Sequence, residues 1–146
     1  IYARNCTRET RLFPGIDRLL DFLSLEGLPV SILTNKPHDL TLKVTAHYLS
    51  RWKFFCVQGL VADYPRKPHP GRVFEIAEKL GLQPSDIALI GDSDTDMQTG
   101  RAAGTLTIGV TWGYDTREAL QEYGADLIVS DPEELITLLK SGIHEK

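Results

Sequence analysis

Three carboxylates alternate in Leu89-Ile90-Gly91-Asp92-Ser93-Asp94-Thr95-Asp96-Met97, directly after an apolar run that ends in a glycine. Hard oxygen ligands at this spacing suit Mg²⁺, which takes one or two carboxylates, keeps several waters and accepts a substrate phosphate. Lys67 sits in Arg66-Lys67-Pro68-His69-Pro70, where the prolines stiffen the loop and hold the ammonium as a fixed point charge for an anion. Thr34 closes a second apolar run. Its hydroxyl, with backbone N–H groups near Asn35 at the start of a following helix, can meet the same anion. Taken singly, these are also ordinary features: solvated acids in a turn, a surface lysine, a strand threonine. Together, Thr34, Asn35, Lys67, Asp92 and Asp96 make a candidate phosphate and Mg²⁺ site, Thr34 and Lys67 handling the phosphoryl group and the two acids the metal.

The elements that must carry these groups are legible around them. Ile87-Ala88-Leu89-Ile90 is short, continuous and apolar, as expected of a parallel strand covered on both faces. Gly91 is expected to let the backbone turn at the carboxyl end of that strand, where ligands bind in open α/β sheets. Asp94 or Thr95 is expected to cap the next helix, with Asp96 on its first turn. Earlier in the chain, Ile16, Leu19, Leu20 and Leu23 recur at helical spacing before Gly27, and Pro29 to Thr34 reads as a strand stopped by Asn35-Lys36-Pro37. A helix from His38 to Leu49 is expected to turn Leu40, Val44 and Tyr48 inward. Phe54 to Val57 reads as a buried strand, and Val73, Phe74, Ala77 and Leu80 as a helical face ended by Gly81. After the acidic turn come a helix through Ala103 ended by Gly104, a strand Leu106 to Val110, and a turn carrying Trp112, Gly113 and Tyr114. A helix Arg117 to Glu122, a strand Leu127 to Val129, a helix Pro132 to Leu139 and a frayed tail close the chain. Such alternation predicts an α/β fold, a Rossmann-like parallel sheet flanked by helices on both faces.

Composition narrows the classes. The 146 residues carry 16 Lys and Arg against 20 Asp and Glu, a formal net charge of -4. That balance argues against nucleic acid as a partner, which calls for clustered positive charge. No apolar run is long enough to span a bilayer, so no membrane partner and a cytoplasmic protein are expected. Cys6 and Cys56 are too few for a disulfide framework, and the four histidines stand in no ligand spacing.

Ser31-Ile32-Leu33-Thr34-Asn35-Lys36, then Arg66-Lys67-Pro68-His69-Pro70, then Ile90-Gly91-Asp92-Ser93-Asp94-Thr95-Asp96 resemble, in order, the second, third and fourth motifs of the haloacid dehalogenase (HAD) superfamily. The similarity runs from about Phe13 to Leu139 and is greatest to hydrolases of phosphoglycolate phosphatase type. The resemblance implies a Mg²⁺-dependent phosphomonoesterase working through an aspartyl-phosphate on a small phosphorylated metabolite. Thr34 would bind the transferring phosphoryl group, with Asn35 shaping that pocket. Lys67 would steady the phosphoryl group and the nucleophile, Asp92 would coordinate Mg²⁺, and Asp96 would be a ligand or support it. A receiver domain uses similar groups, but with its acids first and its lysine last.

One departure stands out. The family's Asp-x-Asp-Gly motif, which supplies the nucleophile on a central first strand, is absent from these residues, and the chain opens on Ile1. By resemblance, residues 1–12 are expected to be a remnant of a helical cap and linker, and residues 13–146 a HAD-like core that lacks its central first strand. The chain alone is then expected to be inactive, unless a second chain or an N-terminal segment completes the sheet. The alternatives are a non-catalytic phosphate- or partner-binding protein and another HAD enzyme such as a phosphomutase.

Overall fold

The computed structural model describes residues 12–141. The expected cap remnant, apart from its last residue, and the expected frayed tail beyond Ser141 lie outside the described residues. Contacts divide the chain into two compact units, Ile1–Arg66 and Lys67–Lys146. Each is α/β, with parallel strands and helices in alternation, as the sequence predicts.

In the first unit, helix α1 (Ile16–Leu25) buries Ile16, Leu19, Leu20 and Leu23, the four residues at helical spacing. Strand β1 (Ser31–Pro37) pairs in parallel with β2 (Cys56–Leu60), Ser31 opposite Cys56 and Leu33 opposite Gln58. The expected stop at Thr34 is not where β1 ends. The register shifts between Leu33 and Pro37, and pairing resumes at Pro37 with Leu60. At this irregularity the Thr34 hydroxyl accepts the Lys36 N–H at 3.2 Å, a local side-chain bond within the bend.

Helix α2 (His38–Tyr48) also differs from expectation. Leu40, Val44 and Tyr48 are only half-buried, and the fully buried residue is Thr41, 4% exposed. Its hydroxyl donates to the carbonyls of Lys36 (3.3 Å) and Pro37 (3.0 Å), so the polar group is satisfied in place. Gly59 makes this fit possible, since a Cβ there would collide with the His38 backbone and the Thr41 hydroxyl. Strand β2 begins two residues later than the apolar run Phe54 to Val57 suggests, leaving Phe55 exposed.

The second unit runs α3 (Gly71–Leu80), a single 3₁₀ turn, β3 (Ala88–Gly91), α4 (Asp94–Ala103), β4 (Leu106–Val110), α5 (Arg117–Glu122), β5 (Leu127–Val129) and α6 (Pro132–Lys140). Its sheet is parallel throughout, in the order β3-β4-β5, with Gly91 opposite Gly109 and Val110 opposite Val129. Strand β4 is the central one, and Thr107, Ile108, Gly109 and Val110 are all buried. Strand β3, expected to be covered on both faces, lies at the end of this order; Ala88 is exposed and Leu89 and Ile90 are half-buried. Met97, Ile108, Leu120 and Leu135, from α4, β4, α5 and α6, are completely buried and form the centre of this unit's core.

Candidate functional site

The end of β3 and the first turn of α4 place two carboxylates close together. Ser93, rather than Asp94 or Thr95, caps α4, its hydroxyl oxygen accepting the Asp96 N–H at 3.3 Å. Asp94 is instead the first helical residue, and its carboxylate accepts the N–H of Thr95 at 2.8 Å. The Ser93 hydroxyl in turn donates to Asp96 Oδ2 at 3.0 Å, and the Asp92 N–H donates to the same oxygen at 3.0 Å. Asp96 therefore folds back over the turn that carries Asp92. Gly91 permits this by its lack of a side chain: a Cβ would occupy the Asp96 carboxylate, and its φ lies outside the left-handed region expected of a sharp turn.

Lys67 reaches the other Asp96 oxygen, Nζ to Oδ1 at 2.5 Å, and both side chains are only 11% exposed. Burial alone would raise the Asp96 pKa, but the Lys67 charge and hydrogen bond, with the Ser93 and Asp92 donors, hold it below its ordinary value of 3.8. Asp92 is shifted the other way. It is 5% exposed, and burial followed by the nearby Asp96 charge raises its pKa above 3.8. The Tyr114 N–H gives Asp92 Oδ2 one hydrogen bond at 3.2 Å; Oδ1 has none among the described residues. The structure thus brings Lys67, Asp92 and Asp96 together within the second unit. Thr34 and Asn35 belong to the first unit, in the bend of β1, and both are half-buried.

Among the described residues, no group of three or more His, Cys, Asp and Glu side chains is placed to hold a metal. What the pair of carboxylates offers fits Mg²⁺, which takes one or two carboxylates and keeps its waters. Asp92 offers an open, desolvated carboxylate oxygen beside a second negative charge, and a hard cation that retains water and accepts phosphate would relieve both penalties.

The sequence offers Trp112 and Tyr114, flanking Gly113 at a strand end, as core or rim aromatics or as lining of a substrate mouth, and gives Gly113 itself no role. Gly113 abuts Asp92 so closely that any Cβ would overlap its carboxylate, and Tyr114 contributes its backbone rather than its exposed ring. The signal available was a glycine between two aromatics at a strand end, which points to a close approach only once its neighbour is known. His69 is exposed and accepts the Gly71 N–H at 3.1 Å, a local loop contact.

The haloacid dehalogenase-like hydrolase family model matches residues 2–104. The chain belongs to this family. Among curated proteins, this HAD-like chain is 31% identical over 138 residues to the phosphoglycolate phosphatase of Escherichia coli, covering 94% of the chain and 55% of that protein. It is 29% identical to the phosphoglycolate phosphatase of Haemophilus influenzae, covering 94% of the chain and 62% of that protein. A crystal structure of a provisionally assigned phosphoglycolate phosphatase from Lactobacillus delbrueckii superposes with a TM-score of 0.84 at 30% identity, covering 92% of this chain and 56% of that one. The HAD-like chain thus spans little more than half the length of these relatives.

Proposed function

We propose that this chain carries the Mg²⁺ and phosphate machinery of a phosphomonoester hydrolase of phosphoglycolate phosphatase type, acting in the cytoplasm on a small phosphorylated metabolite. The observation that carries the reading is the buried Lys67–Asp96 pair beside Asp92, a carboxylate held in a site where its charge is under-compensated. In this reading Asp92 holds Mg²⁺ directly. Asp96 acts beside it, fixing the Lys67 ammonium and the Asp92 backbone through its own two oxygens. Lys67 donates to the phosphoryl oxygens, and on the resemblance of their motif the Thr34 hydroxyl and Asn35 of the first unit are phosphate-binding groups. Bound Mg²⁺ would stabilise charge developing on the phosphoryl oxygens. Phosphoryl transfer to an aspartate needs a further carboxylate in line with phosphorus, from an Asp-x-Asp-Gly motif that these 146 residues do not contain.

A second reading is a HAD-like protein that binds phosphate or a partner without turnover. One experiment separates the two. Mg²⁺ titration of the chain, followed by thermal unfolding, should give a stabilisation that Asp92→Ala abolishes. Turnover of a small phosphomonoester should be absent for the chain alone and appear, Mg²⁺-dependent, when a segment bearing Asp-x-Asp-Gly is joined ahead of it. Mg²⁺ uptake without turnover in the extended protein would leave the binding reading standing. Turnover by the chain alone that survives Asp92→Ala would sink both.

A further inference from the structure

The turn that leaves β4 embraces the acidic turn through more than Tyr114. The backbone N–H of Asp115 donates to the Asp92 carbonyl at 2.9 Å, while the Asp115 carboxylate, through Oδ2, accepts the Asp94 N–H at 2.7 Å. The same residue therefore grips the peptide backbone on both sides of Ser93. Asp94 is the first residue of α4, and its N–H is one of the donors that a helix leaves unsatisfied at its start. Ser93 supplies the cap for Asp96, so the Asp94 donor depends on a partner from elsewhere in the fold. Asp115 is half-buried and lies outside the three motifs by which the chain resembles its family.

We infer that Asp115 is a positioning residue for Asp92: it locks the Asp92-Ser93-Asp94 turn against the 113–115 turn so that the Asp92 carboxylate is presented in one orientation for Mg²⁺. The inference rests on the reading of Asp92 as the metal-binding carboxylate. Three observations converge on it. The Asp92 side chain is held on one oxygen by Tyr114, its flank is pressed by Gly113, and its main-chain carbonyl is held by Asp115, so three consecutive residues hold Asp92, two at its carboxylate and one at its backbone. The Asp115 side chain ties this embrace to the helix on which Asp96 sits. A group that orients a metal-binding residue in this way commonly changes metal affinity 10- to 100-fold when removed.

The test uses the 146-residue chain and three variants. Asp115→Ala removes the acceptor, Asp115→Asn keeps an acceptor oxygen without the charge, and Asp115→Glu keeps the charge one methylene out of place. Mg²⁺ affinity is measured by titration calorimetry with MgCl₂. Hydrogen exchange of the Asp94 amide is measured without metal, with the Met97 amide as the control for an intact α4. The expected result is a Mg²⁺ Kd raised about tenfold by Ala and by Glu, with faster exchange at Asp94 and unchanged exchange at Met97. Asn is expected to stay within about threefold of wild type on both readouts. An Asp115→Ala chain that binds Mg²⁺ as tightly as wild type overturns the inference and leaves the metal reading intact. Equal losses in Ala and Asn with none in Glu also overturn it, since charge rather than orientation would then be responsible. A wild-type chain that takes up no Mg²⁺ overturns the metal reading itself.

Discussion

Asp92 and Asp96 stand four residues apart in sequence and are perturbed in opposite directions, because Lys67 pairs and hydrogen-bonds with Asp96, whereas its charge does not offset the burial of Asp92. For Asp96, whose native pKa is depressed, the stabilisation is present above 3.8 and lost as pH falls through the lower native value. For Asp92 the sign reverses: the metal-free native state is penalised above its raised pKa, and the penalty lifts as pH falls through that value toward 3.8. Asp92→Asn should therefore stabilise the metal-free chain at neutral pH, by about 3 °C in Tm, and remove any stabilisation by Mg²⁺; differential scanning calorimetry with and without MgCl₂ checks both. A drop in Tm on this substitution would show that the carboxylate charge is already compensated. Asp96→Ala should cost about 3 kcal/mol in urea unfolding, because it breaks a buried ion pair and removes the acceptor of the Ser93 hydroxyl and the Asp92 N–H. A cost below about 1 kcal/mol would mean that Lys67 escapes to solvent.

Elements decide which of these side chains could be read from sequence. The strand, turn and helix around Asp92 were legible because an apolar run, a glycine and alternating acids follow one another within a few residues. The helices α1, α3, α4, α5 and α6 and the strands β4 and β5 followed from spacing and from stop signals such as Gly81 after α3 and Gly104 after α4. What was not legible depended on contacts distant in sequence. The burial of Thr41 in place of Leu40, Val44 and Tyr48 is set by Gly59 on β2 and by carbonyls at the bend of β1. The close approach of Gly113 to Asp92 likewise crosses from the end of β4 to the end of β3. At the bend, Thr41→Val should cost about 1–2 kcal/mol in chemical denaturation, since it keeps the shape and removes a buried donor. A neutral Thr41→Val would assign the helix start to the His38 imidazole, which accepts the Gly59 N–H at 3.0 Å.

The molecule as a whole offers one tryptophan reporter in each unit, Trp52 in the first and Trp112 in the second. Each unit buries its own apolar residues, Ile16, Leu19 and Leu20 in one and Met97, Ile108 and Leu135 in the other. In single-tryptophan variants, Trp52→Phe and Trp112→Phe, Mg²⁺ should raise the midpoint reported by Trp112 and leave that reported by Trp52 nearly unchanged. Coincident shifts at both would mean that the units unfold as one cooperative body. No helix among the described residues is long and apolar enough to cross a membrane.

The placement of Gly113, Tyr114 and Asp115 beyond β4 sets an order in time. Ser93 can cap α4 as soon as its own few residues meet, whereas the groups that enclose Asp92 arrive only after β4 has docked beside β3. If Asp92 holds Mg²⁺ as proposed, a refolding chain is expected to gain helical signal before the capacity to take up Mg²⁺, so that metal uptake would report the docking of β4 beside β3.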